Sequence, residues 1–330
     1  MRVLVTGGTG SVGVNIVRRL AREGHDVLCM ARGGDAPDLL RDDFLRDVRD
    51  RVTLVSGDVG RVDTLERAWD AFGPTDVVHA AAITPDREME ARMPRTVVDV
   101  NLMGTVNVLD AAHRGRARRV VYISSGAVYG DAPESAAIPE DAPLRPSGLY
   151  ALTKEAGEKL CAYYHERHGL ATVALRVGWV YGPMERPMRG SRLNMSVVYH
   201  CVRLALRGEE IRIAHLDAVR DWILADDLAG AASALLARAD AGYRVYNGAG
   251  ERGRSHRELL ETLGRIVPLH YRRADGPGDA NVPPFLTRSR RGPLDIRRLL
   301  DETDYRPRAG LEEGLRATVE WQRGAGPALD

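Results

Sequence analysis

The chain is poor in the residues that mark secreted, metal-bound or membrane-spanning proteins. Its three cysteines, Cys29, Cys161 and Cys201, lie far apart in 330 residues and show no CxxC spacing. That argues against a disulfide framework or a zinc ribbon, predicts no metal site, and fits a reduced, cytoplasmic protein. No apolar run approaches the ~18 residues of a membrane span. Strand-like sequence begins at residue 2, so no cleavable leader is expected. Charge of one sign is lacking too, because 47 basic and 46 acidic residues leave a formal charge of +1. No bulk field draws the chain to nucleic acid or to an anionic membrane. Lysine is the scarcest cation. Only Lys154 and Lys159 occur, so arginine fills the generic surface positions and each lysine calls for a reason.

What is present is the composition of a packed protein, 44% hydrophobic and 28% charged. The length is enough for about two domains and a large core without staples. Residues 1–175 alternate short β-branched runs with helix-length segments. Val3–Val5, Val27–Met30, Val52–Val55, Val77–Ala80, Val120–Ile123 and Thr172–Leu175 read as strands; 11–22, 61–72, 95–113 and 149–168 read as helices. Apolar, non-alternating strands between helices predict an α/β fold, a doubly wound parallel sheet covered on both faces. Such sheets bind ligands beyond the carboxyl ends of their strands. After Arg176 the pattern loosens. A helix is expected from about Leu193 to Leu206, strand–helix–strand over 222–246, and a capped helix from Ser255 to Leu263; Asp275 to Pro293 reads as a long loop. The expected organisation is a dinucleotide-binding domain of 1–175 plus about 221–249. A smaller, discontinuous C-terminal substrate domain takes about 176–220 and 250–330.

Thr6-Gly-Gly-Thr-Gly-Ser-Val-Gly13 joins the first strand to the first helix. Gly7, Gly10 and Gly13 suit a tight turn, close approach to a pyrophosphate, and close helix–strand packing. Ser11 and Val12 open the helix whose N-terminus faces that anion. The second strand ends at Ala31-Arg32. Ala31 cannot accept from a ribose hydroxyl, whereas Arg32 offers a donor fork to a 2′-phosphate. The pair favours NADP over NAD; the alternative is a solvated Arg32 with Asp35 meeting the ribose. Asp58 and Val59 follow the third strand, where a carboxylate reaches an adenine amino group or simply closes a turn.

Tyr150-Ala-Leu-Thr-Lys154 sits in a helical stretch, with both side chains on one face. A nearby ammonium favours the tyrosinate and lowers the phenol pKa. Eleven tyrosines and two lysines predict about 0.07 such pairs by composition. Lys159 has no such partner and reads as a solvated charge. Ser124 and Ser125 end a strand at the same sheet edge, where a hydroxyl can hold a reacting oxygen.

Together TGGTGSVG at the start, HAAA at 79–82, VDVNLMGTVNVLDAA at 98–112, SSGAVYG at 124–130, YALTK at 150–154, RVGWVYGP at 176–183 and RDWILADD at 220–227 resemble the extended short-chain dehydrogenase/reductase superfamily. The closer resemblance is to its NAD(P)-dependent epimerase/dehydratase branch, and the first domain is similar to UDP-galactose 4-epimerase. The resemblance implies a Rossmann fold, Tyr150 as general acid/base, Lys154 on the nicotinamide ribose, and Ser125 as the catalytic hydroxyl. It places Ala80, Ala81, Ala82, Asn101 and Val177 near the cofactor, with a capping or core role as the alternative for Asn101. Thr84, Ser125, Trp179, Asn194 and Arg220 fall toward a sugar-like substrate. For Arg220 a salt bridge to Asp221, Asp226 or Asp227 is an equal reading, and for Asn194 a helix-opening role is. A homodimer through the helices at 95–113 and 149–168 is implied as well.

The departures are specific. Dehydratases of the branch carry Asp-Glu after the catalytic Ser/Thr; Gly126 and Ala127 stand there in this chain, which disfavours dehydration. Trp179 replaces an asparagine frequent in nucleotide-sugar members, and Thr84 a lysine of UDP-galactose 4-epimerase. The expected reaction is hydride transfer at a secondary alcohol of a sugar or nucleotide sugar, by an NAD(P)-dependent epimerase or oxidoreductase. The alternatives are an NADP-dependent dehydrogenase or ketoreductase of a sugar acid or other hydroxy compound, and a non-catalytic NADP sensor or scaffold. His165 and His168, His200-Cys201, and the run Arg114, Arg116, Arg118 and Arg119 read as structural or solvated. Arg288, Arg290 and Arg291 line the substrate mouth or only solubilise a loop.

Overall fold

A computed structural model describes residues 1–33, 43–132, 136–188, 192, 194–238, 244–250, 252–287 and 291–325. The strands, in chain order, are β1 Arg2–Thr6, β2 Asp26–Ala31, β3 Val52–Ser56, β4 Asp76–His79, β5 Arg119–Ser125, β6 Ala171–Val177, β7 Trp179–Tyr181, β8 Ile211–Ile213, β9 Val219–Arg220, β10 Trp222–Leu224, β11 Arg244–Gly248, β12 Arg254–Ser255 and β13 Tyr271–Arg273. The helices are α1 Ser11–Arg22, α2 Val62–Phe72, α3 Arg87–Arg92, α4 Pro94–Val98, α5 Gly104–Arg114, α6 Leu149–His168, α7 Val197–Leu206, α8 Ala225–Ala237, α9 His256–Gly264, α10 Pro284–Thr287, α11 Arg297–Glu302 and α12 Leu311–Ala325.

Seven strands form one parallel sheet in the order β11-β6-β5-β4-β1-β2-β3. The chain winds outward from β1 through β2 to β3, then crosses back to place β4 on the other side of β1. That reversal leaves a crevice between the carboxyl ends of β1 and β4, where doubly wound sheets bind ligands. Burial explains the apolar strands. Val3, Leu4, Val5, Val77, Val78, Val120 and Val121 are fully enclosed, because α1 and α8 cover one face while α2, α5 and α6 pack on the other. A second apolar cluster joins α7, β8, α9 and α12 with Tyr181, Trp222 and Leu224.

Four expectations change in detail. The 95–113 helix is three pieces, since a π turn at Asp99–Met103 separates α4 from α5. Helix α7 opens at Val197, because Ser196 caps it through the Tyr199 N–H; the expected start at Leu193 lies outside the described residues. Of the 222–246 unit, β11 joins the main sheet but β10 pairs with β7 instead. The 275–293 loop contains α10. The box at Ser255 is present, with Ser255 and Glu258 bonding each other's backbone N–H groups. No helix among the described residues is long and apolar enough to cross a membrane.

Candidate active site

A cavity of about 500 Å³ runs from the loop before α1 to the first turn of α6. At its start Gly7 adopts φ +68°, and a Cβ there would meet the backbone of Ala81 at 2.6 Å. A Cβ at Gly13 would collide with the Gly7 carbonyl oxygen. These two positions demand glycine, and the demand brings β4, the loop and the N-terminus of α1 into direct contact. Gly10, Ser11 and Val12 line the same wall, so the unpaired N–H groups of the first helical turn open onto the cavity.

Arg32, Asp58 and Val59 lie at one end and Ala80, Ala81 and Ala82 along the middle. Asp58 accepts from the Gly60 N–H at 2.8 Å, which makes it a turn acid that also faces the cavity. Asp35, the alternative ribose partner, lies outside the described residues, as do Arg288 and Arg290. Val177 lines the cavity where it pairs with Ser125 across β5 and β6.

Tyr150, Ser125 and Thr84 converge at the far end, their hydroxyls lining the same wall. Helix α6 sets this placement. Its N-cap is Gly148, which has no side chain to cap with, and the Glu90 carboxylate accepts from the Tyr150 N–H at 3.1 Å instead. One turn on, Lys154 is 3% exposed and donates from Nζ to the Ile123 carbonyl oxygen at 2.8 Å. Burial pulls its pKa down to about 8, opposed by the negative charge of Glu158. The phenol departs from expectation. Burial holds the Tyr150 pKa above its ordinary value, against the neighbouring Ser125 and Thr84 hydroxyls and the charge of Arg192. Lys154 is turned to Ile123 and sits 5.8 Å from the ring centroid.

Two further expectations are corrected. Asn101 does not line the cavity. Its amide accepts from the Ile83 N–H at 2.7 Å and donates to the Ile83 carbonyl and the Thr153 hydroxyl. It ties the π turn to the segment after β4 and to α6. Arg220 is 3% exposed and lies behind the wall, its guanidinium 4.6 Å from the Trp179 ring, donating to the Leu286 carbonyl. The aspartates offered as its partners are engaged elsewhere: Asp221 with Arg291, Asp226 with Arg19, and Asp227 with the backbone of Arg308 and Ala309. Trp179 and Asn194 line the cavity together with Tyr150.

That end also carries residues that no motif marked. Arg186, Arg192 and Phe285 line it. Arg192 donates to Ser11 at 3.1 Å and to Glu185 at 2.8 Å, reaching from the stretch before α7 to the start of α1. No period or spacing in that irregular stretch signals the contact. Arg291 does line the mouth, and its guanidinium fills the space a Gly126 side chain would need. His165 and His168 lie at the end of α6, and no three potential metal ligands cluster among the described residues.

The donor chemistry fits a dinucleotide: a glycine cradle and helix N-terminus for a pyrophosphate, Arg32 or Asp58 for an adenosine, and Lys154 for a ribose.

Comparison with known proteins agrees with this geometry. Residues 3–249 match the family described as the NAD dependent epimerase/dehydratase family. A dTDP-glucose 4,6-dehydratase of Streptomyces niveus is 31% identical over 98% of this chain and 93% of its own. UDP-glucuronate 4-epimerase 1 of Arabidopsis thaliana is 28% identical over 97% of this chain and 76% of its own. Among solved structures, the Thermus thermophilus UDP-glucose 4-epimerase complex with NAD superposes with a TM-score of 0.79 at 29% identity, covering 98% of this chain and 100% of that one.

Proposed function

This chain belongs to the NAD dependent epimerase/dehydratase family, and from that premise we propose an NAD(P)-dependent epimerase acting by hydride transfer at a secondary alcohol of a nucleotide sugar. The observation that carries the reading is the convergence of Tyr150, Ser125 and Thr84 at the end of a cavity that begins at the glycine cradle. Bound nicotinamide supplies the hydride acceptor and donor. The chain supplies the rest. Ser125 holds the reacting oxygen, and Tyr150 takes its proton as the alcohol is oxidised and returns it as the ketone is reduced. Lys154 holds the ribose and meets the developing phenolate with positive charge.

Epimerisation is favoured over dehydration because elimination needs a proton donor beside Ser125. Gly126 and Ala127 offer none, and the Arg291 guanidinium occupies the adjoining space. The match to dehydratases over nearly the whole chain makes this pair of positions the discriminating feature. Arg32 supports a second reading, an NADP-dependent dehydrogenase or reductase that exchanges its cofactor each turnover. It lines the adenosine end, while Ala31 before it offers no acceptor to a ribose. A homodimer is supported by Met103, Leu152 and Tyr163, about half exposed on the π turn and α6.

The test is to denature the purified protein, identify any released nucleotide by mass, and incubate the native protein with UDP- and dTDP-hexoses. Stoichiometric NAD or NADP and conversion of a sugar to its epimer without net reduction support the epimerase. A product 18 mass units lighter would sink it in favour of a dehydratase. An empty protein that consumes NADPH would establish the second reading.

A further inference from the structure

A buried polar hub lies under the reacting residues, and the mechanism above leaves it unused. Glu158 follows Tyr150 and Lys154 at the same four-residue interval on α6, so the three share one face. It is 3% exposed, deep in the protein, where a lone carboxylate is costly. Arg176, at the end of β6, meets it with both arms of its guanidinium, Nε to Oε1 at 2.9 Å and Nη2 to Oε2 at 2.7 Å. The Ser124 hydroxyl donates to Oε1 at 2.5 Å. Arg176 continues the network to the Tyr129 hydroxyl and the Glu140 carbonyl, and Tyr129 donates to Asn247 on β11. One carboxylate therefore joins the ends of β5 and β6 to the middle of α6, the three segments that carry Ser125, Val177 and Tyr150.

We propose that Glu158 is a positioning residue of this site: it fixes the Ser124–Ser125 end of β5 against α6 and supplies the counter-charge that keeps Lys154 an ammonium. The surroundings of Lys154 leave few other sources. From β5 it faces the Tyr122 ring at 5.0 Å and the Ile123 carbonyl. From β4 it faces His79, kept neutral by burial and bonded to the Thr6 and Thr105 hydroxyls. From α6 come Tyr150, Cys161 and Glu158, and the Cys161 thiol is pushed far up by burial and stays neutral. Among these groups Glu158 is the one carboxylate, one helical turn beyond Lys154 and held in place by Arg176 and Ser124. Burial opposes the ammonium and Glu158 works against burial.

The scarcity of lysine makes this measurable without turnover. Protein labelled with [13C]lysine gives two ε-methylene signals, one from Lys154 and one from Lys159, which is exposed and paired with Glu155. The Lys154 signal is expected to titrate near pH 8, and the Lys159 signal serves as the internal reference. Glu158→Gln should move the Lys154 midpoint down by about one pH unit and leave Lys159 in place. Ser124→Ala keeps the counter-charge, so it should leave the Lys154 midpoint alone while lowering kcat severalfold. Removing one member of a buried pair strands the other, so Glu158→Gln/Arg176→Met serves as the folded version should the single variant not fold. A Lys154 midpoint unmoved in either folded variant overturns the proposal, as does expression of neither variant in folded form beside a folded Ser124→Ala, which would make the hub structural alone. The inference rests on Tyr150 and Lys154 being the reacting pair. That reading fails separately, if Tyr150→Phe retains turnover.

Discussion

Lys154 Nζ lies 2.8 Å from the Ile123 carbonyl oxygen, on the strand that ends two residues later at Ser125. The lysine thus clamps α6 to β5 before any ligand arrives, and it does so at a cost. Burial brings its pKa from 10.5 to about 8. Between those values the unfolded chain binds a proton that the native chain does not, so this group makes stability rise with pH from 8 to 10.5. Below pH 8 the buried ammonium costs roughly 3 kcal/mol relative to an exposed one. Lys154→Met should therefore be inactive yet more stable at pH 7 by about 1–3 kcal/mol, less whatever the lost Ile123 bond contributes. The advantage should shrink as pH approaches 10. Urea unfolding at pH 7, 8.5 and 10 checks this; a constant gap would show that no burial penalty is stored there.

Tyr150→Phe removes one hydroxyl and keeps the ring. The phenol lines the cavity with Ser125 and Thr84 and belongs to neither the glycine cradle nor the Arg32 end. Turnover should fall by about 10²–10⁴-fold, the usual contribution of a positioned acid/base, while NAD or NADP affinity stays within about threefold. Stopped-flow turnover with fluorescence titration of cofactor separates the two effects.

Asn101 offers the opposite signature. Its amide is spent on Ile83 and Thr153, so Asn101→Ala should cost about 2–3 kcal/mol from the buried groups it strands. Because the π turn then loses its tie to α6, kcat should drop with little change in the KM for cofactor. A selective loss of cofactor affinity would restore the direct contact expected from the motif.

How much of this was legible beforehand follows from what kind of force places each residue. The strands of the main sheet are buried on both faces, so their apolar runs and the glycine loop declare themselves locally. Tyr150 and Lys154 do so too, because a helix fixes their spacing. Asn101, Arg220 and Arg192 do not. Each is a polar side chain whose partner lies far along the chain, Ile83 and Thr153 for the first, Leu286 and Trp179 for the second, Ser11 for the third. Which donor meets which carbonyl depends on how the substrate segments fold back over the sheet. Arg220 also misled because an arginine beside three aspartates invites a salt bridge, yet those carboxylates are drawn off by Arg291, Arg19 and the backbone before α12.

Gly126 is the position at which epimerase and dehydratase readings part, and the structure predicts what an aspartate there would do. Its Cβ would fall 2.7 Å from Arg291 Nη2, the flexible end of a side chain that is 11% exposed and paired with buried Asp221 at 3.3 Å. The guanidinium would move aside and pair with the new carboxylate. A carboxylate beside arginine is held ionised, so it would have no proton to give an eliminating hydroxyl. Asp221 would meanwhile lose its cation and keep the Leu294 N–H. Gly126→Asp should therefore be destabilised by about 1–3 kcal/mol and form no dehydrated sugar. Gly126→Asp/Arg291→Met removes the competing cation and lets burial raise the aspartate pKa. With Ala127→Glu added as the base that takes the carbon-bound proton, Gly126→Asp/Ala127→Glu/Arg291→Met is the variant expected to yield a product lighter by one water, read by mass spectrometry of the sugar nucleotide. Dehydration by Gly126→Asp alone would show that Arg291 does not control the proton at this position.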